Sequence, residues 1–385
     1  MKTVKAPATG RLYKLSERFN SLAQAQTIYP FAVSLDESID RCSIQLAINQ
    51  QCSQDNTYAA GAVYIPPGHY YIDRPIKIPS ILGLYIFGDS PAATQLHYHG
   101  GQELASIDPA ALFWMESCQE CHIGNLLLHD DAQNPGWTAV LMSNAASTPY
   151  GVVSTGNLFR RLRVERFSQG FTIAGGVGGD VNNDSHIWED CTIDQCSSGV
   201  VVAGSSQAHF LRFNHVGFNG GTYGIWCKYG CYTHCHQCTF NGQDTAIRQD
   251  DFFPGVCTME ACNGENLRRA WSTHFQGGHG PLAPIKITDC RFAFNLLPGD
   301  YCLDFNHEGP VHIVGNHFES INSNAPLVAL RFGQPRGTHR DNVYAYSGSW
   351  GMGAIRFLDG ATPAYFYDEG NSYVDMSNGG ITIQV

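Results

Sequence analysis

The sequence predicts an all-β solenoid, a stack of parallel coils with a helix covering its N-terminal end. Three observations carry the prediction: a recurring strand triplet, a second strand at a fixed offset from it, and a composition suited to strands and turns. The triplets are Leu162-Arg163-Val164, Cys191-Thr192-Ile193, Val216-Gly217-Phe218, Cys238-Thr239-Phe240, Cys257-Thr258-Met259, Cys290-Arg291-Phe292, Asn316-His317-Phe318 and Ser372-Tyr373-Val374. From Leu162 to Asn316 six steps cover 154 residues, a mean of about 26. Short strands at that period, punctuated by Gly and Asn turns, are the mark of a solenoid. Nine residues after the first position stand Phe171, Val200, Ile225, Ile247 and, counted from Ser372, Ile381. A sandwich with strands every ~8–12 residues has no reason to keep that double register. No 3.6-residue periodicity runs inside the units, which weighs against helical and leucine-rich repeats.

The composition agrees. The 385 residues are 43% hydrophobic and 12% aromatic, enough for a large core. Only 15% is charged, against roughly 25% in an average soluble domain. Low charge with abundant Gly, Asn, Thr and aromatic residues favours strands and turns. A formal charge of -11 weighs against a nucleic-acid-binding protein. No apolar run approaches the ~20 residues of a membrane span, so a soluble protein without membrane insertion is expected. The opening MKTVKAPATGRLYKLSERF is basic but has no apolar stretch, so no signal peptide is visible in it.

Fourteen cysteines need an account. The column Cys191, Val216, Cys238, Cys257 and Cys290 reads as a ladder of small inward side chains, which explains the thiols without disulfides or metals. Cys227, Cys231, Cys235 and Cys238, with His234 and His236, form the one zinc-like cluster. Four thiolates there need a knuckle turn where the repeat places strands. Cys118-Gln119-Glu120-Cys121-His122 matches the haem-attachment spacing C-x-x-C-H, again in a strand-like context. No metal ligand set and no cofactor are expected.

The N-terminal third adds a helix-like run after Ser34-Leu35-Asp36-Glu37-Ser38-Ile39-Asp40, apolar at helical spacing through Leu46 and Ile48. Gly61-Ala62-Val63-Tyr64-Ile65-Pro66-Pro67-Gly68-His69-Tyr70 and Leu84-Tyr85-Ile86-Phe87-Gly88-Asp89 follow. On these segments the chain resembles the pectate-lyase-like superfamily of right-handed parallel β-helices, with a capping helix, an "IPPGxY" strand and a "GD" turn. The resemblance spans residues 34–385 as a single β-helix domain, leaving 1–33 as an N-terminal extension. It specifies the fold and leaves the chemistry open, because lyases, glycoside hydrolases, fructotransferases and phage tailspike depolymerases share that fold.

In that superfamily the strand opening Gly-apolar commonly carries the substrate face. Alternation places Phe171, Val200, Ile225 and Ile247 inside and Thr172, Val201, Trp226 and Arg248 outside. The same face is expected to continue through Arg268, Asp304, Arg331 and Arg356, with Lys228 beside Trp226. Arginine forks suit carboxylates, and an indole stacks on sugar rings. The following loops hold Asp180 and Asp184, Asp250 and Asp251, His274 and His279, then His307 and Glu308. Asp and Asn also cap turns in any solenoid, so each residue alone has a structural reading. Coils stack ~4.8 Å apart, so Asp250 or Asp251 and Asp304, two coils apart, suit an inverting pair, with His279 as a proton shuttle between them. Asn182-Asn183-Asp184, Asp250-Asp251, Gly278-His279-Gly280 and Ile285-Lys286 echo the motif order of polygalacturonase-like hydrolases. Their spacing departs from it, and that family is not assigned. His129 to Trp137 and Gly175 to Asp184 are polar excursions able to border a groove.

The expected function is therefore a polysaccharide-degrading enzyme acting on an acidic glycan. Asp250, Asp251, Asp304 and His279 are the catalytic candidates; Arg248, Arg268, Trp226, Lys228, His307, Glu308, Asp184 and Arg331 are the substrate-binding ones. A uronate lyase is the first alternative, with Arg248 or Arg268 neutralising the substrate carboxylate. A non-catalytic glycan-binding fibre, as in tailspikes, is the second. The resemblance implies a homotrimer, and the compartment stays open between virion-associated and secreted.

Overall fold

The computed structural model describes residues 9–52, 61–100, 109–133, 135–143, 153–174, 183–204, 208–250, 255–274, 283–306, 309–331, 335–348, 353–363, 365–376 and 382–384. The chain is a parallel β-solenoid, as the repeat predicts, and forms two compact units, Met1–Ser197 and Ser198–Val385. Each coil gives one strand to each of three sheets. In the first unit the coil Tyr85–Phe87, Thr94–Tyr98 and Ala111–Glu116 is typical. In the second, Cys231–His236, Thr239–Asn241 and Thr245–Gln249 play the same parts.

From the coil that begins at His122 onward, each passage from first to second sheet among the described residues has one residue in the left-handed region, which is a glycine at Gly315 and Gly370. Asn125, Arg161 and Asp190 take that place in the first unit; His215, Gln237, Ala261, Asp289 and Asp341 do so in the second, all with φ between 51° and 58°. The next residue points inward and immediately precedes the second-sheet strand. In the second unit that column runs Val216, Cys238, Cys262, Cys290, Asn316, Asn342 and Asn371. Cys257 is a correction: it pairs with Ile285 in the first sheet, one strand earlier, and Cys262 takes its expected place. From Asn316 onward the column becomes an amide ladder. The N–H groups of Asn316 and Asn342 each donate to the next asparagine's side-chain oxygen at 3.0 Å.

Twelve thiols are free, and all but Cys52 are buried; burial pushes Cys191 and Cys257 up to about 12. The expectation of no disulfide is overturned at one point. Cys227 and Cys231 are bonded across the turn that carries Lys228, with Cα atoms 6.2 Å apart. Cys227 ends a third-sheet strand and Cys231 begins the next first-sheet strand, so that short turn alone brings them together.

The capping helix is Ile39–Gln51. Ser38 caps it by accepting from Arg41 N–H at 3.0 Å, and Asp40 in the first turn complements the helix dipole. The helix lies against the strands Ala62–Tyr64, Gly68–Ile72 and Ile76–Ile78. Its side chains complete their exposed edge. Asp40 Oδ2 accepts from Tyr71 N–H at 2.9 Å, while Gln45 accepts from Lys77 N–H at 2.7 Å and donates to its carbonyl at 2.8 Å. An uncovered edge would leave those groups open to another chain. The stretch expected as an extension packs here: Leu15, Phe19, Ala25, Tyr29 and Ala32 share a core with Ile39 and Cys42. Glu37, 1% exposed, binds Arg41 at 2.9 Å and Arg74 at 3.3 Å, and accepts from the N–H groups of Val33 and Ser34.

Candidate active site

The third sheet of the second unit presents two adjacent outward rows. Val200, Ile225, Ile247, Trp271 and Leu303 are in register and buried, so the residues after them form the first row: Val201, Trp226, Arg248, Ser272 and Asp304. Ala329 and Arg356 continue it. Cys227, Gln249, Thr273 and Phe305 turn back inward, and the chain emerges again at Lys228, Asp250, His274 and Asn306, with Arg331 opposite Asn306. The alternation expected for Trp226 and Arg248 is therefore present, and Arg331 shares the face through the second row.

The side chains interlock. Trp226 Nε1 and Arg248 Nε donate to the two oxygens of Asp250, each at 2.7 Å. Arg248 also reaches the Tyr223 hydroxyl at 2.8 Å, and Lys228 Nζ lies 4.0 Å from the centre of the Trp226 ring. Asp304, 8% exposed, takes a two-point contact from Arg331 at 2.6 and 3.3 Å; Arg331 spans on to Asp359 at 2.9 Å. Hydrogen bonding to Asp304 raises the pKa of Arg331 above its ordinary value, so its positive charge is fixed.

His274 sits next to Asp250 in the second row and within electrostatic reach of Asp304. Its edge is open to solvent, yet desolvation by the surrounding protein is the main force lowering its pKa. Arg248 adds to the lowering, and Asp304 and Asp250 oppose it. The sequence left His274 as one of several loop residues. The signal that isolates it is positional: Lys228, Asp250 and His274 each stand three residues after Ile225, Ile247 and Trp271. Trp271 itself stands nine after Cys262, the residue hidden by the choice of Cys257.

Arg268 is a second correction. It lies in the turn before the strand Arg269–His274, off the outward rows, because Arg248 is opposite Ser272. Its guanidinium is held by Asp300 at 3.0 and 3.1 Å and lies 3.5 Å from Asp244. Burial raises the pKa of Asp300, but Arg268, the Leu297 N–H and Arg269 outweigh it and bring the carboxyl below its usual range. The free arginine stripe is thus a set of pairs, Arg248 with Asp250, Arg268 with Asp300 and Arg331 with Asp304. Arg356 donates to backbone carbonyls of Gly353 and Ile355. Asp184 belongs to the first unit, where its carbonyl accepts from Gly156 N–H at 3.0 Å. Lys286 is in the first sheet, away from these rows, while Asn182 and Gly278 to Gly280 of the polygalacturonase-like echo lie outside the described residues. Asp251, His279, His307, Glu308, Asp180 and Ile381 lie outside the described side chains. Among the described residues no group of three or more His, Cys, Asp or Glu is placed to hold a metal ion.

The three-sheet parallel coil and its helical cap are those of a pectate-lyase-like β-solenoid. The chain belongs to the rhamnogalacturonase A/epimerase, pectate lyase-like family, whose pattern it matches over residues 36–269. No curated protein matches the sequence. Among solved structures, the DFA-IIIase from Arthrobacter chlorophenolicus A6 is similar at 12% identity and a TM-score of 0.53, over 87% of this chain and 89% of that one. The catalytic unit of a thermostable GH87 alpha-1,3-glucanase from Streptomyces thermodiastaticus strain HF3-3 gives 14% and 0.45, over 86% and 64%. The tailspike protein gp49 from Pseudomonas phage LKA1 gives 13% and 0.39, over 96% and 78%. Likeness at these identities is one of fold.

Proposed function

We propose that the protein cleaves a glycan on the outward rows of its second unit, hydrolysing glycosidic bonds by acid–base catalysis. One observation carries the reading: Asp250 and Asp304 share the face two coils apart, with His274 on the coil between them. Two coils put their strands ~9.6 Å apart, and the carboxylates also stand in neighbouring rows, so the pair leaves room for a water and is too wide for the ~5 Å geometry of a retaining enzyme; inversion is the expected outcome. Asp304, steadied by Arg331, takes the proton from that water. The Asp250–His274 pair, one coil apart, gives a proton to the leaving oxygen. Trp226 offers a stacking face for a sugar ring, and Lys228 and Arg248 favour a glycan that bears carboxylates. The family and the carbohydrate-processing fold neighbour support the class of substrate.

The pH dependence follows from His274. Its pKa lies below the ordinary 6.5, so the proton-bearing form gains population only in acid. Activity is expected to fall as pH rises through that lowered value, giving an acidic optimum. His274→Asn should lower kcat by about 10²–10⁴-fold and remove the alkaline limb of the profile. An optimum on the alkaline side of neutrality, or an unchanged limb in the variant, sinks the assignment.

A lyase reading rests on the same histidine. A neutral imidazole facing Arg248 suits removal of the proton beside a uronate carboxylate, with Arg268 already committed to Asp300. Product analysis on neutral and acidic polysaccharides separates the readings: reducing ends without a new conjugated double bond support hydrolysis, and reducing ends with one support elimination. Binding without product leaves the fibre reading. The proposed homotrimer is checked by the particle mass in solution. No helix among the described residues is long and apolar enough to cross a membrane.

A further inference from the structure

The nine-residue register that places third-sheet strands breaks in three successive coils of the second unit; the last runs from Asn342 to Ile355 in thirteen residues, and the two before it enclose a cavity. From the inward column, Cys238 leads to Ile247 and Cys262 to Trp271, each nine residues on. Cys290 leads to Leu303 after thirteen, and Asn316 to Val328 after twelve. The four and three extra residues fall in the turns between second and third sheets. Both turns are tightly built. Asp300 ties its turn together by accepting from Arg268, Arg269 and Leu297 N–H. Asn322 and Asn324 both donate to the Leu296 carbonyl, at 2.6 and 2.8 Å, so the second turn is strapped to the first.

Between the two turns lies a cavity of about 260 Å³, with Asp300, Tyr301, Ser323, Asn324, Leu327 and Tyr346 among its lining residues. That is space for on the order of nine waters, enough for a single sugar ring. Its polar groups are hydroxyls and an amide; the carboxylate at its wall already accepts from two guanidinium groups and a backbone N–H. The cavity also adjoins the catalytic rows. The Arg331 guanidinium that clamps Asp304 lies 5.4 Å from the centre of the Tyr301 ring.

We infer that this cavity is a subsite for one uncharged monosaccharide unit of the glycan, next to the bond that is cut. The inference rests on the function proposed above and narrows it: the substrate carries a neutral sugar at this position, whatever charge it bears over Trp226 and Lys228. Tyr301 supplies an apolar ring face and Asn324 and Ser323 supply hydrogen bonds to sugar hydroxyls, while the lining holds no cation to offset the cost of bringing in a uronate carboxylate beside Asp300. Arg268, excluded from the outward rows, becomes a positioning residue that holds the wall through Asp300.

Binding is measured on the catalytically silenced Asp304→Asn protein against oligosaccharides released from the glycan that it binds, with and without Tyr301→Ala or Asn324→Ala. Each added substitution is expected to weaken binding at least tenfold for oligosaccharides with a neutral unit at the cavity. Binding of fragments too short to reach it should stay within about twofold. The active protein carrying Asn324→Ala should show a raised KM and a kcat within about threefold of wild type. Equal affinity for long oligosaccharides in Tyr301→Ala, Asn324→Ala and their parent overturns the subsite while leaving the active site standing. Failure of the parent to bind any glycan overturns the function itself.

Discussion

Asp304→Asn is expected to lower kcat by about 10²–10⁴-fold while KM stays within a few-fold of wild type. The substitution keeps the shape and one acceptor, and Arg331 retains its contact with Asp359 at 2.9 Å, so the coil has reason to stay folded. What disappears, on the proposed mechanism, is the carboxylate that takes a proton from water, a group that acts mainly in the transition state. Steady-state kinetics together with a thermal melt check the result. A loss below tenfold with an unchanged melt would mean that Asp304 serves only as the partner of Arg331. Asp250→Asn belongs to the same comparison: its oxygens hold Trp226 and Arg248, so it should raise KM as well as lower kcat.

The second large effect is on stability. Glu37→Ala should destabilise the first unit by about 3–5 kcal/mol, because it removes the carboxylate shared by two guanidinium groups that are themselves mostly buried. The substitution also removes the acceptor for the backbone N–H groups of Val33 and Ser34. Glu37→Gln, which keeps one acceptor for those donors, should cost less. Denaturant unfolding monitored in the first unit reads both variants. A change within about 1 kcal/mol for Glu37→Ala would show that the ion pairs are worth little more than exposed ones.

Much of this fold could be read from spacing. The capping helix, the parallel coils and the inward register of Val200, Ile225 and Ile247 follow from period and alternation, because a residue buried in a stacked coil must recur at the same point of the next. The reading slipped where one pattern serves several sheets. Cys257-Thr258-Met259 and Cys262 both suit an inward strand, and only pairing partners distinguish them. The same slip moved Arg268 onto the face and left His274 among the loops. The Cys227–Cys231 bond was not legible, since a four-residue separation allows a bond only when the turn between two sheets is that short. Charge was misleading in another way. The arginines are present as read, but composition does not say which carboxylate each one meets.

The antiparallel strand Thr382–Gln384 has a bearing on how the molecule behaves at high concentration. Every other strand pairing described in these sheets is parallel, and a parallel stack exposes at its last coil the same ladder of donors and acceptors that built the coil before. Thr382–Gln384 lies along Ser372–Asp375 in the opposite direction and takes up that ladder on the second sheet. The amide chain finishes at the same coil: Asn371 Nδ2 donates sideways to Asp368 at 2.7 Å. On that edge an incoming copy meets a reversed strand and a spent amide, which is a barrier to fibre growth.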